Sequence, residues 1–109
     1  MLDFTFSTSD EITAELGLRL RAVRLSQSLT QADLAERAGV SVGTVKSLER
    51  TGQSSVASLV RVVQALGLSD QLQSLFVLKV QSIAQMEQAQ LAQRRRAPRK
   101  ARIAARSQP

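Results

Sequence analysis

Between Leu29 and Glu49 the chain reads LTQADLAERAGVSVGTVKSLE, two helix-length stretches with only Ala38-Gly39-Val40-Ser41 between them. No other feature constrains the fold as tightly. Thr30 and Asp33 have the spacing of a reciprocal N-terminal cap, and Leu34 and Ala35 point to one side of the helix that follows. Gly39 stands where a left-handed C-cap falls, since glycine enters that conformation without a steric cost. Ser41 caps the next helix, Val42 to about Arg50, whose Val45 and Leu48 face the interior. Helices joined this tightly cross at close range, so Ala35 has to be small where they meet and Val40 fills the gap.

The same punctuation divides the rest of the chain. Thr8 and Glu11 have capping-box spacing, and Ile12, Leu16, Leu20 and Val23 then recur on one helical face as far as a turn around Ser26-Gln27-Ser28. Gly17 inside that helix costs up to about 1 kcal/mol against alanine unless close packing needs it. The polar loop Thr51-Gly52-Gln53-Ser54-Ser55 leads to a fourth helix, Val56 to Leu66, with Leu59, Val62, Val63 and Leu66 inward and Gly67 ending it. Ser69 is expected to cap a fifth helix, Asp70 to about Leu78, that buries Leu72, Leu75 and Phe76. Ser82 and Gln85 then suit the cap of a sixth helix through Met86 and Leu91 to about Arg95, unless the fifth simply continues. Pro98 is expected to end any helix. Strand signals are weak, so the fold class is all-α.

Composition narrows the function. The 109 residues contain no cysteine and no histidine, which removes disulfides, thiolate metal sites and the commonest general base. The nine acids form no evident catalytic pair, so neither an enzyme nor a cofactor is expected. No apolar run approaches the roughly 20 residues that cross a bilayer, and Met1-Leu2-Asp3-Phe4 is no secretory n-region, so a cytoplasmic location without membrane contact is expected. The net charge of +6 is unevenly placed: Arg94, Arg95, Arg96, Arg99, Lys100, Arg102 and Arg106 stand without an acid, and residues 1–93 sum to −1. A basic block beside a near-neutral body is either a solvated terminus or an arm that meets nucleic acid.

Two short helices and a tight turn form the pattern of a helix-turn-helix, whose second helix enters the major groove. Over roughly Leu16 to Leu78 the chain resembles the lambda-repressor/Cro-type (Xre-type) regulators. The resemblance is carried by R-x-x-R at Arg21 and Arg24, LTQADLAERAGVS, the V-x-x-LE of Val45 to Glu49, and the LxRVxxALGL of residues 59–68. It implies a five-helix lambda-repressor-like domain over residues 9–78. An N-terminal arm over 1–8, a helical extension over 79–96 and a basic, disordered tail over 97–109 complete the expected organisation. It also implies an ion pair between Arg24 and Glu49, and a phosphate held by Gln31 at the start of the second helix, beside its cap Thr30.

On the third helix Gly43, Thr44, Lys46, Ser47 and Arg50 point away from the core. Ser41, Val42 and Gly43 form the N-terminal turn that goes deepest into the groove, and Gln53 and Ser54 meet the DNA backbone beside it. Direct base readout by these residues is modest, so DNA shape, dimer spacing or the tail (Arg94, Arg95, Arg96, Arg99, Lys100 and Arg102) in a minor groove can contribute. A homodimer on a palindromic operator is expected. The stripe Ile83, Met86 and Leu91 serves either that dimer, another protein, or the chain's own core. Within the family the chain is similar to HipB-like antitoxins encoded beside HipA-like kinases. That resemblance rests on GLRLRAVRLSQSLTQADLAERAGVS, LVRVVQALGLSDQLQSLF and the Arg-rich tail. It implies a repressor of its own operon that binds and neutralises a HipA-like kinase toxin. The alternatives are a stand-alone or prophage repressor and, in another class, a module that bridges proteins.

Overall fold

Thr8 opens the first helix as its pattern predicts: its side chain accepts from the Glu11 N–H at 3.2 Å, and the Glu11 carboxylate accepts from the Thr8 N–H at 2.9 Å. The computed structural model describes residues 2–79 and 83–107, with 96–107 as backbone only. The helices are α1 (Ser9–Ser26), α2 (Gln31–Ala38), α3 (Val42–Thr51), α4 (Val56–Ala65), α5 (Ser69–Leu72) and α6 (Ile83–Ser107). No strand occurs among the described residues, and none of their helices is long and apolar enough to cross a membrane. A single 3-10 turn, Phe4–Phe6, precedes α1, and the Arg19 guanidinium lies 4.9 Å from the centre of the Phe4 ring. The chain divides into two units, Met1–Leu75 and Phe76–Pro109.

In the first unit α1 packs on α3, α2 on both α3 and α4, and α5 on α4. Leu34, Val45, Leu48 and Val62 are fully buried at the centre, and Leu20, Ala35, Val63 and Leu66 close around them. Thr30 and Asp33 form a complete capping box on α2, and Ser41 caps α3 by accepting from the Thr44 N–H at 3.1 Å. Gly39 takes φ 70°, which lets the Val40 N–H reach back to the Ala35 carbonyl at 3.0 Å and end α2 abruptly. Ser28 ends α1 in the same way with φ 58°, although it carries a Cβ.

Gly17 has a packing reason for its place in mid-helix. A Cβ there would run into the Leu48 carbonyl oxygen, and one at Gly52 into the Thr13 carbonyl. The backbones of α1 and α3 therefore touch with no layer of side chains between them.

Four expectations need correction. Leu16, placed on the inward face of α1, is 37% exposed, because α1 turns Gly17, Leu20 and Arg24 inward instead. The fifth helix is one turn long: Ser69 lies inside it, Leu68 precedes it and no side chain caps it. Of its expected core residues only Leu72 packs against the interior, whereas Leu75 is 50% and Phe76 98% exposed. Phe76 has φ 56°, outside helical space, and the chain leaves the helix at residue 73, so the fifth helix does not continue into the sixth either.

The fourth correction concerns Pro98. The α6 backbone is helical from Ile83 to Ser107, so Pro98 does not end the helix. Proline removes one backbone donor, but the alanines and arginines on both sides of it are strong helix formers and carry the helix past. Ser82, the expected cap of this helix, lies outside the described residues.

Two substitutions test these backbone features in thermal melts of the full chain. S28G is expected to stabilise by about 0.5–1 kcal/mol, because glycine adopts the left-handed turn without strain. G17A is expected to destabilise by about 1–3 kcal/mol through overpacking at the α1–α3 contact, opposite to what alanine does in an open helix.

Candidate nucleic-acid interface

Arg24 is the last turn of α1 folded inward, and Glu49 is the last turn of α3 folded to meet it. Both are buried, at 6% and 4% exposure. Arg24 donates from Nε to Glu49 Oε2 at 2.6 Å, from Nη2 to Oε1 at 2.9 Å, and from Nη1 to the Leu29 carbonyl at 2.7 Å. Gln31 adds a fourth bond, its amide Nε2 donating to Glu49 Oε1 at 3.1 Å. No buried side-chain polar atom among the described residues lacks a partner. Burial pushes the Glu49 carboxyl upward, but the bonds from Arg24 and Gln31 and the charges of Arg24 and Arg21 outweigh it and hold it below its ordinary value. The Arg24 guanidinium is raised, chiefly by its hydrogen bonds to Glu49.

Above this pair opens a groove lined by Leu18 and Arg21 of α1, Gln31 of α2, and Gly43, Lys46, Ser47, Glu49 and Arg50 of α3. Spacing explains the convergence: at about 100° per residue, Gly43, Lys46, Ser47 and Arg50 form the stripe opposite Val45 and Leu48. Gly43, Lys46 and Arg50 are exposed and Ser47 is half-buried. Three cations, Arg21, Lys46 and Arg50, thus surround one exposed helix face.

Of the residues singled out in the sequence, Gln31, Gly43, Lys46, Ser47 and Arg50 come together in this groove. Thr30 and Ser41 are exposed but serve as the caps of α2 and α3. Val42 is 37% exposed on the first turn of α3. The Thr44 hydroxyl shares a 2.8 Å hydrogen bond with the Ser41 hydroxyl, and the Ser47 hydroxyl donates to the Gln53 carbonyl at 3.2 Å. Gln53 and Ser54 are exposed on the following loop, where the Ser54 hydroxyl donates to the Ser55 carbonyl at 2.9 Å. Arg94 and Arg95 are exposed on α6, in the second unit. The side chains of Arg96, Arg99, Lys100 and Arg102 lie outside the described residues.

Sequence reasoning missed Leu18 and Arg21 as groove residues. The signal was present: both stand on α1 within two turns of Arg24, and Arg21 opens the R-x-x-R motif. The sequence alone identifies Arg21 only as part of that motif, because nothing local shows that α1 brings its exposed edge alongside α3.

The helix-turn-helix domain family matches residues 15–76, more than half of the chain. The chain belongs to that family. At this level the protein is an Xre/Cro-like helix-turn-helix regulator, and α2 and α3 are its two named helices. No curated protein matches the chain to supply a named relative.

The ion pair makes a sharp prediction about stability. Removing one partner leaves the other charge buried and alone, so E49A and R24A are each expected to lose about 3–5 kcal/mol, while the apolar pair R24M/E49L loses far less. The pH dependence follows from the depressed Glu49 carboxyl. Its contribution is complete above the unfolded-chain value of about 4.3 and is lost as pH falls through the lower folded value. Asp33 and Glu11, each lowered chiefly by a hydrogen bond from a cap backbone, act in the same direction. Melting temperature should therefore fall with acid below about pH 4, and less steeply in E49Q than in the parent.

Proposed function

We propose that the protein is a sequence-specific transcriptional repressor that binds double-stranded operator DNA as a homodimer, with α3 in the major groove. The observation that carries this reading is the groove itself, where Arg21, Lys46 and Arg50 surround the exposed face of α3. The ion pair beneath holds that face in one orientation. A major groove about 12 Å wide admits one α-helix, and flanking cations then reach the phosphates on either side.

Individual roles follow from chemistry. Gln31 uses one amide hydrogen on Glu49 and keeps the other for a phosphate, next to the free N–H groups of the first turn of α2 that Thr30 caps. Val42 offers methyl groups to a thymine. Thr44 and Ser47 spend hydroxyl capacity on their own chain and retain lone pairs to accept from a base amine. Ser41, Gln53 and Ser54 flank the DNA backbone. In this reading residues 9–78 are the DNA-binding module and α6, with Arg94 and Arg95 on it, adds phosphate contacts.

One such module covers little DNA, so two copies on half-sites roughly 34 Å apart form the working unit. The exposed run Leu75, Phe76, Val77 and Leu78, with Ile83, Met86 and Leu91 on α6, supplies apolar surface for that pairing.

A second reading makes the repressor the antitoxin of a HipA-like kinase toxin, encoded in the same operon. It is favoured by the resemblance over residues 17–41 and 59–76 and by the Arg-rich tail.

Salt titration of DNA binding tests the first reading. Each of K46A, R50A and R21A is expected to lower the slope of log affinity against log salt by about one, and removal of residues 94–109 by several. Binding that ignores all four changes contradicts the proposed face. For the second reading, the tagged protein is purified from its host after nuclease treatment. A kinase-like protein in stoichiometric amount supports the antitoxin role, and recovery of the protein alone counts against it.

A further inference from the structure

The described side chains of α6 sort by side. At about 100° per residue, Ile83, Met86, Glu87, Gln90, Leu91 and Arg94 fall within one arc of about 140°. Glu87, Gln90, Leu91 and Arg94 line one shallow groove there. Ile83, Met86 and Leu91 are the large apolar side chains described on this helix, and all three are exposed. A helix draws most of its stability in a protein from packing such a face on something.

The charges on this face indicate its occupant. Glu87 is the one acid in α6, and Arg94 is the one described cation on this side, with Arg95 about 100° further round. They stand seven residues apart, about 10 Å along the axis, with Gln90 and Leu91 midway between them. Neither takes part in an ion pair among the described residues. A face with an acid toward one end and a base equally far toward the other is complementary to itself turned end for end. A two-fold axis between residues 90 and 91 sets Glu87 of each copy opposite Arg94 of the other, the reciprocal contact of a closed symmetric dimer. Parallel pairing would bring Glu87 against Glu87 and Arg94 against Arg94, which repel. We infer that this face of α6 docks antiparallel on the same face of a second copy, with two Glu87–Arg94 pairs flanking a crossing where the two Leu91 side chains meet. The inference rests on the homodimer reading above and gives that dimer its contact and its orientation. The apolar side chains supply the affinity and the charges choose the direction, because exposed ion pairs contribute little by themselves. A guanidinium has five donors, so Arg94 meets a carboxylate along one edge and keeps another edge for a phosphate.

The test is sedimentation equilibrium of the full chain without DNA, for wild type, E87R, R94E and the double variant E87R/R94E. Each single variant makes both cross-pairs repulsive and is expected to weaken dimerisation roughly tenfold at low salt. That loss should shrink as added salt screens it. The double variant restores both pairs with their signs exchanged and is expected to dimerise within about threefold of wild type, a recovery that misfolded single variants could not give. Single variants that dimerise as tightly as wild type overturn the inference and leave a dimer formed by parallel helices or by another surface. A double variant as weak as the single ones overturns it in favour of separate roles for the two residues. A wild type that is monomeric at every concentration overturns it as well. In that case two copies on one DNA duplex would keep the homodimer reading, and a single copy would end it.

Discussion

Arg24 and Glu49 bring two full charges into an interior otherwise made of leucine, valine and alanine, and the rest of the first unit is arranged around that fact. Neither charge is tolerated there alone, so each must find the other in one geometry. The two-pronged contact between guanidinium and carboxylate fixes distance and angle together, which apolar packing does only loosely. Leu29 supplies a carbonyl and Gln31 an amide, so the segment entering α2 is tied to the same point. Three helices are thereby registered by one cluster of four hydrogen bonds. The orientation of α3, on which any contact with DNA depends, is set at its far end by this cluster and along its side by the direct backbone approach of α1.

The functional face is built by division of labour along α3. Val45, Leu48 and Glu49 belong to the interior, whereas Gly43, Lys46 and Arg50 belong to the groove. Ser47 lies between the two sets and ties α3 to the loop after it through the Gln53 carbonyl. That bond, with the Thr51 hydroxyl donating to the Ser47 carbonyl at 3.0 Å, carries the helix orientation into a loop that has few apolar contacts of its own.

How much of this could be read from the sequence depended on range. Thr8 with Glu11, Thr30 with Asp33, Ser41 and Gly39 act within a few residues, and each is written as a recognisable pattern. Residues 42–51 were equally legible because one helix face is apolar and the other is not. The fifth helix was not, since Leu72, Leu75 and Phe76 have inward spacing but only Leu72 has a neighbour to pack against; periodicity states which residues share a face, never whether anything stands opposite. Leu16 failed for a related reason: α1 turns toward α3 along Gly17, where a contact between backbones leaves no hydrophobic signature. Arg21 stayed unplaced because its role comes from the position of α1 beside α3. At Pro98 a rule about one residue lost to the helix preference of its neighbours.

The backbone contact between Gly17 on α1 and the Leu48 carbonyl on α3 has a consequence for how such a protein can diverge. Because α3 is held by its main chain and by residues on one side only, the identities of its outward residues carry almost none of the fold's cohesion. Positions 43, 46 and 50 are open to exchange while the scaffold is retained. A duplicated copy of this chain can therefore change the chemistry of this face through a handful of codon changes, with no interval in which its intermediates fail to fold.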